Sequence, residues 1–203
     1  MSEPSSRQDK LKRLQKQQRS GERRRGALIW GVAAVAALAV AGAGAFVVVR
    51  DQKSQPSLAA VKSYQEQAGQ HVTTPVKYPQ TPPVGGEHNP VWLNCGVYNQ
   101  PVPNENAVHA LEHGAVWVTY REGTPAADVA KLRAALPDTY SVLSPIKTQP
   151  APVVVTAWGK QLALTGADDK RLPEFIKTYR LGPQTPEPGA ACTGGLDAPG
   201  KQS

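Results

Sequence analysis

Sulfur is scarce in this chain of 203 residues: two cysteines, Cys95 and Cys192, and one methionine, Met1. With only Met1 there is no thioether-rich seat for Cu(I). The cysteines lie far apart, so no C-x-x-C motif points to thioredoxin-type chemistry. Glycine-rich phosphate loops are missing too. Gly85-Gly86 and Gly194-Gly195 lack the strand-to-helix setting such a loop needs, and no G-x-S-x-G elbow marks a hydrolase nucleophile. Internal repeats are absent. The net charge of +7 is confined to one end: residues 1–25 carry nine Lys and Arg against Glu3, Asp9 and Glu22, and the rest is close to neutral. No basic stripe remains to meet a phosphate backbone, which excludes nucleic acid as a partner.

Charge is wholly absent from Ala27 to Val49, twenty-three residues in a row. Such a run is long enough to span a bilayer with some tilt. The arginines before it place the N-terminus in the cytoplasm and the C-terminal part of the chain outside. A cleaved signal peptide is the rival, with Ala41-Gly42-Ala43 as the small-residue site, but the apolar run continues through Phe46-Val47-Val48-Val49 and favours an uncleaved anchor. Ala33, Ala37, Ala41 and Ala45 recur every fourth position, a stripe that would let two such helices approach as a homodimer. The expected organisation is a basic cytoplasmic tail (1–26) that is disordered or lies on anionic lipid, a transmembrane helix (27–49), a linker with a short juxtamembrane helix over Leu58–Ala68 (50–83), an extracytoplasmic domain (84–181) and a Pro- and Gly-rich tail (182–203).

Within that domain the informative stretch runs from Asn94 to Tyr120. Asn104 reads as the N-cap of a helix over Glu105–His113 that stops at Gly114. Ala115 to Tyr120 follows as a buried strand. At about 100° per residue, Ala107, Val108 and Leu111 fall on one face, and Glu105, His109, Glu112 and His113 on the other. His109 and His113 are an i, i+4 pair, close enough to share one metal ion. His88, in the loop Gly85-Gly86-Glu87-His88, is a third ligand, with Glu105 and Glu112 as alternative ligands. Zinc is the first expectation and copper the second. The simpler alternative is a polar face that is merely solvated, with His113 favoured in the last turn by the helix dipole. His71 reads as a surface residue rather than a ligand.

His109-Ala110-Leu111-Glu112-His113 also matches H-x-x-E-H, the inverted zinc-protease motif, in which Glu112 would be the catalytic base and Glu174 the distant ligand. The predicted helix is short for that role. Further strands are predicted at Val91–Leu93, Tyr140–Leu143, Val153–Trp158 and Gln161–Leu164, the last two as a hairpin. Helices are predicted at Ala126–Leu136, with Pro125 at its start, and at Asp168–Tyr179. Trp92, Trp117 and Trp158 read as core. This order indicates a small α+β fold, a ferredoxin-like or related α/β sandwich outside the membrane, preceded by the single transmembrane helix. In an oxidising compartment Cys95 and Cys192 would form a disulfide. It would hold the C-terminal tail beside Asn94–Tyr98 and contribute up to about 4–5 kcal/mol in the chain-entropy model.

Asn94-Cys95-Gly96-Val97-Tyr98, the run Glu105–Tyr120, Gly85-Gly86-Glu87-His88 and Ala191-Cys192-Thr193-Gly194-Gly195 together resemble domain-of-unknown-function family 3105. The resemblance covers about residues 60–195. It implies a membrane-anchored actinobacterial protein and carries no activity or site residue with it. Three functions are therefore open from the residues alone: a metal-binding domain, a metal-dependent hydrolase using Glu112, or a structural envelope protein whose helix face docks a partner.

Overall fold

The computed structural model of the chain describes residues 30, 31, 34, 36–43 and 56–202. The chain divides into two compact units, Met1–Gln55 and Pro56–Ser203. In the first, the described residues are helical and exposed. Among the described residues no helix is long and apolar enough to cross a membrane. The basic tail and most of the expected span at 27–49 lie outside the described residues.

The second unit is α+β. Its elements are β1 (Lys62–Ser63), β2 (Gly96–Val97), α1 (Asn104–Glu112), β3 (Val116–Arg121), α2 (Ala126–Ala134), β4 (Ser141–Ile146), β5 (Val153–Ala157), β6 (Lys160–Leu164) and α3 (Arg171–Tyr179). The six strands form one mixed sheet in the order β1-β6-β5-β3-β4-β2. β4 runs parallel to β2 and to β3, and the other neighbours are antiparallel.

Period-2 alternation in β3 divides the core. Trp117 faces a cluster with Ala107, Val108, Leu111 and Val142, on the side of α1. Val116, Val118 and Tyr120 face the other way, toward Leu132 of α2 and Phe175 and Ile176 of α3. Successive strand residues point to opposite faces, so a strand covered on both sides must be apolar at consecutive positions. That explains why Val116–Tyr120 is buried without a break. β5, buried along its whole length, has the same cause.

Three sequence expectations change in detail. The sheet is not ferredoxin-like. In that fold the βαβ unit is split by an intervening strand, whereas here β3 and β4 are joined through α2 and lie side by side. The β5–β6 hairpin takes the free edge of β3, because fully buried β5 needs an interior place. The helix expected over Leu58–Ala68 does not form. Lys62-Ser63 pairs with β6, the Tyr64 N–H donates to Gly159 O at 2.8 Å, and Leu58 and Val61 pack on the core. The strand expected at Val91–Leu93 shrinks to one bridge, Leu93 to Leu196.

Two local devices hold the ends of this unit. Ahead of α3, the Asp169 carboxylate accepts hydrogen bonds from the Arg171 N–H at 3.0 Å, from the Arg171 guanidinium, and from the N–H and hydroxyl of Thr165. The Arg171 guanidinium beside it, more than any other contact, holds this carboxyl well below the usual range. At the other end, the Cys95 and Cys192 sulfurs are at disulfide distance, with Cα atoms 5.4 Å apart. The tail after Cys192 runs on beside the domain: Asn94 N–H donates to Leu196 O, Asn99 N–H to Gly200 O, and Tyr98 bridges Lys201.

Replacing Asp169 with Ala should lower stability at neutral pH by about 2 kcal/mol, in the range of lost caps and charged hydrogen bonds. A depressed carboxylate stabilises the fold above its unfolded value of about 4, and that contribution fades as pH falls below it. Urea titrations of parent and Asp169→Ala should therefore draw closer as pH falls below about 4, with the gap closing fully only well below about pH 3, and a gap that does not shrink would refute the assignment. Replacing Cys95 and Cys192 together with Ser releases a loop of 97 residues. It should lower the urea midpoint by the equivalent of about 2–4 kcal/mol, and a reductant should do the same to the parent but not to the variant.

Candidate metal centre

α1 is amphipathic by sequence, yet nearly all of it is buried. Every residue from Asn106 to Glu112 is buried, so the polar face is not the solvated surface that helical periodicity alone suggests. One side packs Ala107, Val108 and Leu111 toward the sheet. The other carries His109, Glu112 and His113 beneath three irregular segments: 69–72, 86–92 and 187–192. These segments meet the helix through backbone bonds, including Asn89 N–H to Glu105 O, Leu93 N–H to Asn106 O, Glu187 N–H to Glu112 O and Gly189 N–H to His113 O. The last two satisfy carbonyls that any helix leaves open at its C-terminus. Pro103 rather than Asn104 occupies the N-cap, without a side-chain bond. Gly114 ends the helix at φ 105°, a conformation strained for any residue with a Cβ, which would also crowd the Leu181 Cα at 3.3 Å.

Four potential ligands converge under this cover. One donor atom from each of His71, His88, His109 and Glu112 lies within 4.8 Å of every other. His88 and Glu112 are fully buried, and His109 is 4% exposed. Each of these three is oriented by its backbone. His88 Nδ1 lies 2.7 Å from Gly86 O and His109 Nδ1 lies 2.6 Å from Asn89 O, so each Nδ1–H donates and Nε2 keeps its lone pair. Glu112 Oε1 accepts the Gly69 N–H at 2.6 Å. The other carboxylate oxygen, Oε2, stands 2.9 Å from His88 Nε2 and 3.9 Å from His71 Nε2. Although His88 Nε2 and Glu112 Oε2 are within contact distance, they do not align as a hydrogen bond, and both are buried without a hydrogen-bond partner. Buried polar atoms are nearly always paired, so two orphans side by side mark a place where something else can be bound.

The imidazoles form a continuous array. His71 stacks on His109 at 4.9 Å between ring centres, while His88 meets both edge-on. Burial lowers the His109 pKa to about 4. The neighbouring histidines act in the same direction, and the Asn89 carbonyl opposes them. The ring is therefore neutral at physiological pH, the form that binds metal.

The other residues singled out by sequence fall elsewhere. His113 is buried, but its Nδ1–H donates to Ala191 O at 2.6 Å and its Nε2 faces Glu187 Oε2 at 3.6 Å. Its ring contacts His109 and Trp92. An inverted zinc-protease site would have His109 and His113 share the ion, with Glu112 held apart as base. Here Glu112 stands among the potential ligands. Glu105 accepts the Val76 N–H at 2.9 Å and fastens the 71–78 segment to the helix. Glu174 lies on α3, against the opposite face of the sheet. Cys95 and Cys192 pair with each other and hold the covering tail.

Sequence reasoning placed His71 at the surface, where its side chain is 42% exposed, but not beside the other potential ligands. It sits in an extended segment with no periodicity to show its direction. A parallel bridge to His88 brings it in, with Val72 N–H donating to His88 O and His88 N–H to Gln70 O.

Neither a curated protein nor a solved structure matches the chain significantly. A family model described as "Protein of unknown function (DUF3105)" matches residues 71–194, a span that contains all four clustered residues and both cysteines. This match covers more than half of the chain, which therefore belongs to that family.

Proposed function

We propose that the domain binds one divalent transition-metal ion through His71, His88, His109 and Glu112, and that it does so outside the cytoplasm on a single-pass anchor formed by residues 27–49. The observation that carries the metal reading is the unpaired couple of His88 Nε2 and Glu112 Oε2, buried 2.9 Å apart. One cation between them would satisfy both atoms and offset the buried carboxylate charge. The second-sphere pattern supports it as well, since metal-bound imidazoles usually donate their other N–H to a carbonyl. Three imidazoles and one carboxylate suit Zn(II) first and Cu(II) next. The anchor rests on the uncharged run at 27–49, and the cysteine pair suits an oxidising compartment.

The full chain should be purified without added chelator and its metal measured by mass spectrometry, beside the His88→Ala/Glu112→Gln variant and a His113→Ala control. The parent and the control should each carry about one equivalent of zinc or copper, and the double variant should carry almost none. A parent that is empty and takes up neither ion when titrated would overturn the reading.

A further inference from the structure

We infer that the four ligands play unequal parts: His88, His109 and Glu112 form a fixed seat, and His71 occupies an exchangeable position through which the ion is loaded and released. The inference rests on the metal reading above and assigns its kinetics. His88, His109 and Glu112 are at most 4% exposed, and each is tied to a backbone group at 2.6–2.7 Å. The His71 side chain is 42% exposed, and its Nε2 stands 3.9 Å from Glu112 Oε2, beyond hydrogen-bond reach.

Its backbone, by contrast, is held on both sides. Gln70 O and Val72 N–H both bond to His88, and Gly69 N–H bonds to Glu112. The ring can therefore turn outward by side-chain rotation alone, losing its stack on His109 and its edge contact with His88 and leaving the seat intact. Gly69, at φ 67°, makes the bend that brings His71 over the site, and a Cβ there would meet open space.

Exchange then needs no redox partner. A nitrogen or oxygen donor from solvent or from an acceptor protein bonds to the ion as the bond to His71 Nε2 breaks, and the coordination number is restored. With a divalent ion and one carboxylate, the seat keeps a net charge of +1, which favours neutral imidazole or a carboxylate as the incoming donor. The ion is thus cargo that can be handed on, and its route runs past His71.

The test uses the full chain loaded with Zn(II) or, for spectroscopy, Co(II). Release to excess EDTA is timed in the parent, His71→Ala and His88→Ala, with and without millimolar imidazole. His71→Ala should keep close to one equivalent at loading, release it about tenfold faster or more, and regain slow release with imidazole. Its Co(II) visible spectrum should shift on imidazole addition while that of the parent does not. Loss of the ion from His71→Ala as complete as from His88→Ala would overturn the inference, because His71 would then belong to the seat. Release at the parental rate, with no imidazole response, would overturn it in the other direction, since His71 would not be a ligand. A parent that loads no ion would remove the metal reading itself. Because His71 is exposed, unchanged thermal unfolding of His71→Ala is expected and separates these outcomes from misfolding.

Discussion

The rest of the domain is arranged around one constraint, the burial of Glu112. A carboxylate with no exposed surface is costly unless its charge and lone pairs are met. Its Oε1 accepts one backbone N–H, and its Oε2 meets only imidazole edges. Burial keeps His109 neutral, so that ring brings no balancing charge of its own. On the metal reading a cation among the ligands would meet that carboxylate, and the four side chains lie close enough together for one ion to reach them all.

The irregular segments become intelligible from this centre. A nine-residue helix exposes open N–H and C=O groups at both ends, and α1 is too short to hold itself together. Packing against the strands on one side and the coil on the other holds it: the Glu187 and Gly189 N–H groups cap the open carbonyls of the last turn, while the Asn89 and Leu93 N–H groups add bonds to the Glu105 and Asn106 carbonyls near its start. Those contacts also set the histidines. Asn89 O orients His109, and Ala191 O, beside the cysteine bridge, orients His113. The cysteine pair thus fixes both the path of the tail and the carbonyl that holds one of the buried rings.

How far the sequence shows this depends on the kind of signal. β3, β5 and β6 and the three helices were legible because their periodicity and breakers are local: β-branched runs, Gly114 after α1, Pro125 before α2. The placing of β5 beside β3 was not, since strand order depends on which edge is free after α2 has crossed over. The 58–68 segment carries apolar residues at helical spacing, but pairing with β6 outweighs a propensity that is weak in so short a stretch. At the site, His109 and His113 were legible as a helical pair of potential ligands, His88 as a third, and Glu105 and Glu112 as alternatives. The burial of their face was not, because the default for a helix with one polar side is solvent. Only the cover, coil with no pattern of its own, reverses that default. His71 lies at the surface of the cover, as read, and only its convergence with the cluster was illegible, for the same reason.

The donor set is also constrained by what the cysteines are already doing. Cys95 and Cys192 cannot be both a bridge and a thiolate seat, and their sulfurs are committed to each other. A metal site in a domain that forms such a bridge has to be built from groups that oxidation leaves intact. Imidazole and carboxylate meet that requirement, and with no methionine beyond Met1 the sequence offers no softer donor. On the metal reading, such a set would suit borderline and hard divalent ions in preference to Cu(I). The oxidation that holds the tail over α1 therefore also narrows the class of ion that the covered face can take.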